Sequence, residues 1–396
     1  MLSTYIANLV FSVFNFFITD NPYSAFHAGN AGELSGVYSN TFYFNVAGIL
    51  VTSVILINFL NYRCEIKTAR VPLILFVGRI VFGIINGGIF LYPITYIYDF
   101  LINILVLSLV INSSKNYDYK NEIKYIFIFS IITFFLGVLL ALINPNIWGF
   151  LPFEFSRDAR GEVTLAYVTG SIITLPSLLV SNYKIKKFTR FIIYLLLIII
   201  VASTATRTAL LQLIIPLFIF LVLSPRSKNK LFFITIFLLT IIYYFDLIYN
   251  YFIAFGSFGP DAIDLILNGR LELWNYYYNQ FLNSPLFGCG ANLINSKNYD
   301  SIAVSEIGLL RILAQDGIFI ALIQVYIVIC AAIQSIKSVK SNYSDEYNLF
   351  ASYIVLSLIP FYIFQDYSRI LNISDFIFWF FIYYQYIIFI RKKSHE

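Results

Sequence analysis

Charge is what this chain of 396 residues has least of: 12% of its residues are charged, 59% are hydrophobic, and the mean hydropathy is +0.79. Soluble domains carry roughly a quarter charged residues, so a water-soluble globular domain is excluded. Histidine is nearly missing, with His27 and His395 as the only two, and the three cysteines, Cys64, Cys289 and Cys330, lie far apart. That scarcity removes zinc-ligand spacing and a disulfide framework from consideration. No Asp-x-Asp pair is present to hold a metal. The first apolar run has neither a basic flank nor a small-residue cleavage site, so it is expected to be a retained helix and not a removed signal peptide. No internal repeat is detectable.

Apolar stretches of about 20 residues recur from end to end, each long enough to cross roughly 30 Å of hydrocarbon as a helix. The sequence therefore predicts an all-α polytopic membrane protein. Six clusters, from Arg63/Lys67/Arg70 to Arg391/Lys392/Lys393, hold 18 of the 26 Lys and Arg. By the excess of cations on cytoplasmic loops, these clusters lie inside. They fall where alternating spans would return to the cytoplasm. About twelve spans follow, near 3–19, 41–61, 71–90, 95–112, 125–144, 164–182, 191–205, 208–223, 231–248, 306–335, 347–365 and 375–390, with both termini cytoplasmic. The chain then divides into residues 1–248 with nine spans, a long external loop at 249–305, and residues 306–396 with three spans and a short basic tail.

Two features of this topology bear on function. Residues 191–223 are barely long enough for two crossings at 1.5 Å per residue, which puts their outer turn, near Thr206, within the membrane beside Arg207. The 249–305 loop is far longer than the roughly 15 residues beyond which loops are usually functional or disordered. Within it, LELWNYYYNQFL has the periodicity of a short amphipathic helix lying at the interface.

Outside the clusters eight cations remain, and seven are arginines: Arg79, Arg157, Arg160, Arg207, Arg270, Arg311 and Arg369, with Lys297 the exception. Charges at membrane depth are costly unless paired or solvated and so mark functional positions. Arginine's planar fork suits bidentate phosphate binding, so this outward set points to an anionic, phosphate-bearing substrate. Arg79, inside its span, is expected to pair within the bundle or to snorkel inward.

Three fragments resemble the bacterial O-antigen polymerase and O-antigen ligase superfamily of polytopic glycosyltransferases. The first is Ala202-Ser-Thr-Ala-Thr-Arg207-Thr-Ala-Leu-Leu. The second is Asn268-Gly-Arg270-Leu-Glu-Leu-Trp274, continuing to Asn283-Ser-Pro-Leu-Phe-Gly288-Cys-Gly290. The third is Ser305-Glu306-Ile-Gly-Leu-Leu-Arg-Ile-Leu-Ala-Gln-Asp-Gly317. Arg157-Asp-Ala-Arg160-Gly161 is a weaker fourth.

The resemblance implies an architecture like that of GT-C membrane glycosyltransferases, in the bacterial inner membrane with the active site facing the periplasm. It implies undecaprenyl-pyrophosphate-linked oligosaccharides as donor and acceptor, membrane lipids as surroundings, a chain-length regulator as a partner class, and no nucleic acid. Ligase members begin the third fragment with a histidine where this chain has Glu306, which favours a polymerase of surface polysaccharide. The rivals are the ligase, with the same donor and a lipid A-core acceptor, and a lipid-linked oligosaccharide flippase.

Transfer from a lipid pyrophosphate builds negative charge on the leaving group, and preorganised arginines are the expected means of stabilising it. Arg207 and Arg270 are assigned that catalytic role. They take the place a metal would fill, so neither metal nor cofactor is expected. Glu306 is assigned as the base for the attacking hydroxyl, since partial shielding raises a carboxylate toward that task. Arg160, Arg157, Arg311, Arg369, Trp274 and Tyr277 are the expected substrate-binding residues. For Arg270 the plain alternative is a solvated loop charge, for Glu306 a charge favoured by a helix N-terminus, and for the aromatics an interfacial belt.

Overall fold

The computed structural model describes residues 66–91, 93–116, parts of 127–135, 174–181, 186–203, 207–223, 225, 270–290, 308–341, 345–364 and 373–393. Among these residues the chain is all-helical and contains no strand. In chain order the helices are α1 (Ile66–Ile85), α2 (Gly88–Leu91), α3 (Pro93–Asn116), α4 (Lys187–Ser203), α5 (Arg207–Leu223), α6 (Arg270–Asn283), α7 (Gly308–Lys340), α8 (Glu346–Phe364) and α9 (Ile373–Lys393). A further helical stretch covers 174–181. Continuous apolar sequence forms helices because a helix satisfies its own backbone polar groups, which hydrocarbon cannot do.

Seven of the expected spans coincide with α1, α3, α4, α5, α7, α8 and α9. Those at 3–19, 41–61 and 231–248, and both chain termini, lie outside the described residues; those at 125–144 and 164–182 do so in part. Among the described residues one helix, α7, is long and apolar enough to cross a membrane. Two boundaries differ from expectation. The helix expected over 71–90 ends at Ile85, where Asn86 and Gly87 turn the chain and Gly87 takes φ 75°, a conformation open to a residue without a Cβ. The one expected over 306–335 runs from Gly308 to Lys340 and is broken at Gly317.

Apolar side chains lie on the outer surface as well as in the core. Ile74, Val77, Val81 and Ile84 form an exposed apolar stripe along α1, and Phe319, Leu322, Tyr326, Ile329 and Ile333 form another along α7. The interior instead holds Arg79, Asp99, Asn103, Gln324, Gln334, Asn348 and Gln385 among its buried polar residues. Apolar stripes on the outside, with the buried polar groups hydrogen-bonded to one another, suit hydrocarbon surroundings.

The main core is built by α1, α3, α7, α8 and α9 around Phe76, Ile102, Ile327, Phe350, Ile354, Trp379 and Phe381. A second cluster joins the 174–181 stretch, α4 and α5 to α7 and α8 through Leu175, Leu179, Leu197, Leu213, Leu349 and Tyr353. A polar lock ties α7, α8 and α9 together. The Gln385 amide donates to Asn348 Oδ1 (2.9 Å) and Ser352 Oγ (3.1 Å), and the amides of Asn348 and Gln334 both donate to Ser338 Oγ. Such bonds are a main source of cohesion where lipid removes the hydrophobic drive between helices.

Candidate functional site

The most polar place in the interior is a charged knot between α1, α3 and α7. Arg79 Nη1 donates to Asp99 Oδ2 at 3.0 Å, its Nη2 donates to Gln324 Oε1 at 2.7 Å, and its Nε lies 3.3 Å from Asp316 Oδ2. All three charged residues are at most 7% exposed. Asn103, one turn beyond Asp99 on α3, donates to Asp99 Oδ1 and to the Asp99 carbonyl, and accepts at 2.9 Å from the Tyr383 hydroxyl of α9. One guanidinium of α1 thus joins a carboxylate of α3 to a carboxylate and an amide of α7. Its energetic meaning is conditional. Bringing a charged triad out of water gains little net stability, whereas removing one member leaves an uncompensated buried charge and costs about 3–5 kcal/mol.

Asp316 immediately precedes the break in α7. Gly317 has φ 79° and ψ 174°, a region essentially confined to glycine. In an unbroken helix the Ile318 amide would bond to the Ala314 carbonyl. Instead, residues 285–289, which follow α6, run into the gap and take both partners. The Cys289 amide donates to Ala314 O at 2.8 Å, and the Ile318 amide donates to Pro285 O at 2.9 Å.

This strap approaches α7 so closely that a Cβ on Gly288 would lie 2.1 Å from Gln315 O, and one on Gly317 would lie 2.2 Å from Leu286 O. Ser284 closes the strap on itself, its carbonyl accepting from the Gly288 amide and its hydroxyl donating to Gly288 O. The Cys289 thiol donates to Gln280 O of α6, and partial burial raises its pKa above the ordinary thiol value. The end of α1 holds the other side of the strap: Asn86 Nδ2 donates to Phe287 O at 3.2 Å, and the Phe82 and Phe287 rings meet edge to face.

Gly288 and Gly290 both have φ 73°, a left-handed conformation open to a residue without a Cβ. Gly288 also allows the close approach, a role that local sequence does not reveal.

The amphipathic segment expected in the external loop is α6. Its residues Trp274, Tyr277 and Phe281, spaced at i, i+3 and i+7, pack against Leu310 and Ala314 on the first half of α7. Tyr278 and Leu282, flanking that face, are about half exposed. Tyr277 is 2% exposed, so its ring is packing material in this seam, while Trp274 is half-buried at its edge.

Arg270 is the first residue of α6, and Arg311 is buried on the half of α7 that α6 covers. The structure therefore joins the segments carrying Arg270, Trp274 and Tyr277 to the one carrying Arg311. Arg207 is the first residue of α5, whose neighbours are α4, α7 and α8. The α4 helix ends at Ser203 and α5 starts at Arg207; the turn expected near Thr206 falls on 204–206, outside the described residues. Glu306, Arg157, Arg160 and Arg369 lie outside the described residues.

Arg79 pairs within the bundle, the first of its two expected roles. Its partners Asp99, Asp316 and Gln324 were not anticipated. Their signal was available: Asp99 and Asp316 are acids inside two apolar spans, and with an arginine in a third they are the charges that membrane burial forces to meet. No cluster of three or more His, Cys, Asp and Glu side chains suited to a metal occurs among the described residues.

Apolar outer stripes, hydrogen-bonded polar groups within the bundle and one helix long and apolar enough to cross a membrane agree with a membrane-associated helical protein. The O-antigen ligase family (Wzy_C) has a model that matches residues 192–323. The match contains all three fragments and agrees with their resemblance to the O-antigen polymerase and ligase superfamily. The match runs from α4 through α5 and α6 into α7, covering Arg207, Arg270, the strap and the break at Gly317. The family contains both polymerases and ligases, which are glycosyltransferase-like enzymes acting on lipid-linked oligosaccharides. No curated protein and no solved structure matches the chain.

Proposed function

We propose that this chain is an O-antigen or related surface-polysaccharide polymerase at the periplasmic face of the inner membrane. It transfers a growing glycan from its undecaprenyl-pyrophosphate carrier to a sugar hydroxyl of a second lipid-linked unit. The observation that carries this reading is the family match across 192–323, which contains Arg207 and Arg270 at the first positions of α5 and α6. Glu306, in place of the histidine of ligase members, supports polymerase over ligase. The architecture proposed is about twelve spans with both termini cytoplasmic, in a GT-C-like arrangement. Residues 1–248 and 306–396 form the membrane body, and 249–305 form the external loop to which α6 and the strap belong.

In this reading the acceptor hydroxyl attacks the anomeric carbon of the donor and passes its proton to the Glu306 carboxylate. The bond from that carbon to the pyrophosphate oxygen breaks, and the charge left on the pyrophosphate is met by the guanidinium groups of Arg207 and Arg270. Direct displacement inverts the anomeric centre. Arg157, Arg160, Arg369 and Trp274 bind the phosphates and sugars around the reacting atoms. Arg311 and Tyr277 support binding from their buried positions on α7 and in its seam with α6. No metal takes part.

The reading is tested by surface lipopolysaccharide from an O-antigen-producing strain lacking the gene. A ladder collapsed to core plus one unit establishes the polymerase, because flipping and ligation then still operate. The ligase reading is favoured by the name of the matching family. It predicts bare core together with long lipid-linked polymer left outside the inner membrane. Bare core without that polymer would indicate a flippase.

A further inference from the structure

Arg79, Phe82 and Asn86 stand at i, i+3 and i+7 and so share one face of α1. Arg79 grips Asp316, the residue before the break in α7, while Phe82 and Asn86 grip Phe287, the middle of the strap that enters the break. The two contacts are parts of one device. The break leaves Ala314 O and Ile318 N without their helical partners, and the strap supplies both. The strap fits only if the two limbs of α7 hold one relative position, because Gly288 passes within contact distance of the peptide linking Gln315 and Asp316.

We propose that Arg79 and Asp316 are positioning residues. Their ion pair, anchored from behind by Asp99, fixes the 308–316 limb of α7 in the register that receives the strap, and thereby fixes α6, which begins at Arg270, on that limb. Neither residue touches substrate. The family match begins at residue 192, so the part of the device on α1 and α3 lies outside the matched segment. Its consequence for activity rests on the polymerase reading; the seating of the strap does not.

The experiment uses the full chain with Cys64→Ser and Cys330→Ser, so that Cys289 in the strap is the only thiol, and follows its alkylation by a membrane-impermeant maleimide. A reference chain carries Leu286→Cys with Cys289→Ser, placing the thiol at an outward position of the same strap. Cys289 should react about tenfold more slowly than the thiol at 286. Arg79→Gln and Asp316→Asn should each raise the Cys289 rate about tenfold, the change made by 1.4 kcal/mol of lost coupling. Arg79→Lys keeps the charge without the fork and should fall between. In the same variants polymerisation should lose kcat with little change in the KM for lipid-linked donor, which general destabilisation does not produce.

Equal reactivity at 286 and 289 in the parent chain would overturn the proposal without any variant. Unchanged Cys289 rates in Arg79→Gln and Asp316→Asn would do the same. If Arg79→Gln does not accumulate, Asp316→Asn carries the test, because Asp99 still pairs the guanidinium. The predicted rates in a chain whose deletion leaves the lipopolysaccharide ladder intact would support the strap and remove the polymerase reading instead.

Discussion

Replacing Gly317 by alanine should unseat the strap, and the size of the effect follows from the structure. The backbone at Gly317, φ 79° and ψ 174°, costs a residue with a Cβ about 1–3 kcal/mol. The new methyl would also lie 2.2 Å from Leu286 O, 2.6 Å from Leu286 C and 2.8 Å from Phe287 N. All three are backbone atoms, so rotamer changes cannot relieve the clash. Strap and helix must part, weakening the Ile318-to-Pro285 and Cys289-to-Ala314 bonds at roughly 1 kcal/mol each.

The local cost is therefore about 3–5 kcal/mol, which increases opening by about two to four orders of magnitude. Hydrogen exchange of the Cys289 and Ile318 amides measures it directly: both should be protected in the parent chain and exchange at least a hundredfold faster in Gly317→Ala. Gly87→Ala is the matched control. It has nearly the same φ, 75°, but nothing lies within 4 Å of the added Cβ, so it should cost only the left-handed penalty of about 1–2 kcal/mol and leave both amides protected. Equal effects of the two substitutions would refute the reasoning, since backbone strain alone would then account for both.

Arg207→Ala and Arg270→Ala should each abolish chain extension while membrane protein levels stay normal; activity near that of the parent would remove that residue from the mechanism. Glu306→Gln keeps size and hydrogen-bonding capacity but lacks the carboxylate, so polymer formation should be lost, and full activity would dismiss Glu306 as the base. Tyr383→Phe removes one donor to Asn103, so thermal unfolding in detergent should show a loss of about 1 kcal/mol. Asp99→Asn should cost more, about 3–5 kcal/mol, because it removes a charge from a buried set; a smaller loss than for Tyr383→Phe would mean that the knot is not ionised as described.

Much of the fold was legible because the solvent dictates it. A chain with this little charge has to make helices of membrane length, so α3, α4, α5, α8 and α9 lie where the apolar runs placed them. The periodicity of LELWNYYYNQFL disclosed α6, though not that Trp274, Tyr277 and Phe281 would pack it onto α7. Tyr277 shows where such spacing stops being informative: a buried tyrosine and one that stacks on a sugar leave the same periodic mark, and burial against Ala314 makes it packing material. The end of α1 at Ile85 was missed because the apolar run continues through residue 91. The turn depends on the backbone freedom of Gly87, which a hydropathy count does not register.

The sequence by itself determined the class of this protein, the limits of most of its helices, and the arginine-bearing fragments at the starts of α5 and α6, because these are properties of short segments facing hydrocarbon or heading a helix. Only the tertiary structure decided how the charges are paired and how the broken helix is completed. Arg79 meets Gln324 across 245 positions, Asn86 meets Phe287 across 201, and Tyr383 meets Asn103 across 280. No local preference encodes such contacts. They follow from a helix broken by a glycine, which left two backbone groups that had to find partners, and from a membrane interior in which Arg79, Asp99 and Asp316 had to find one another.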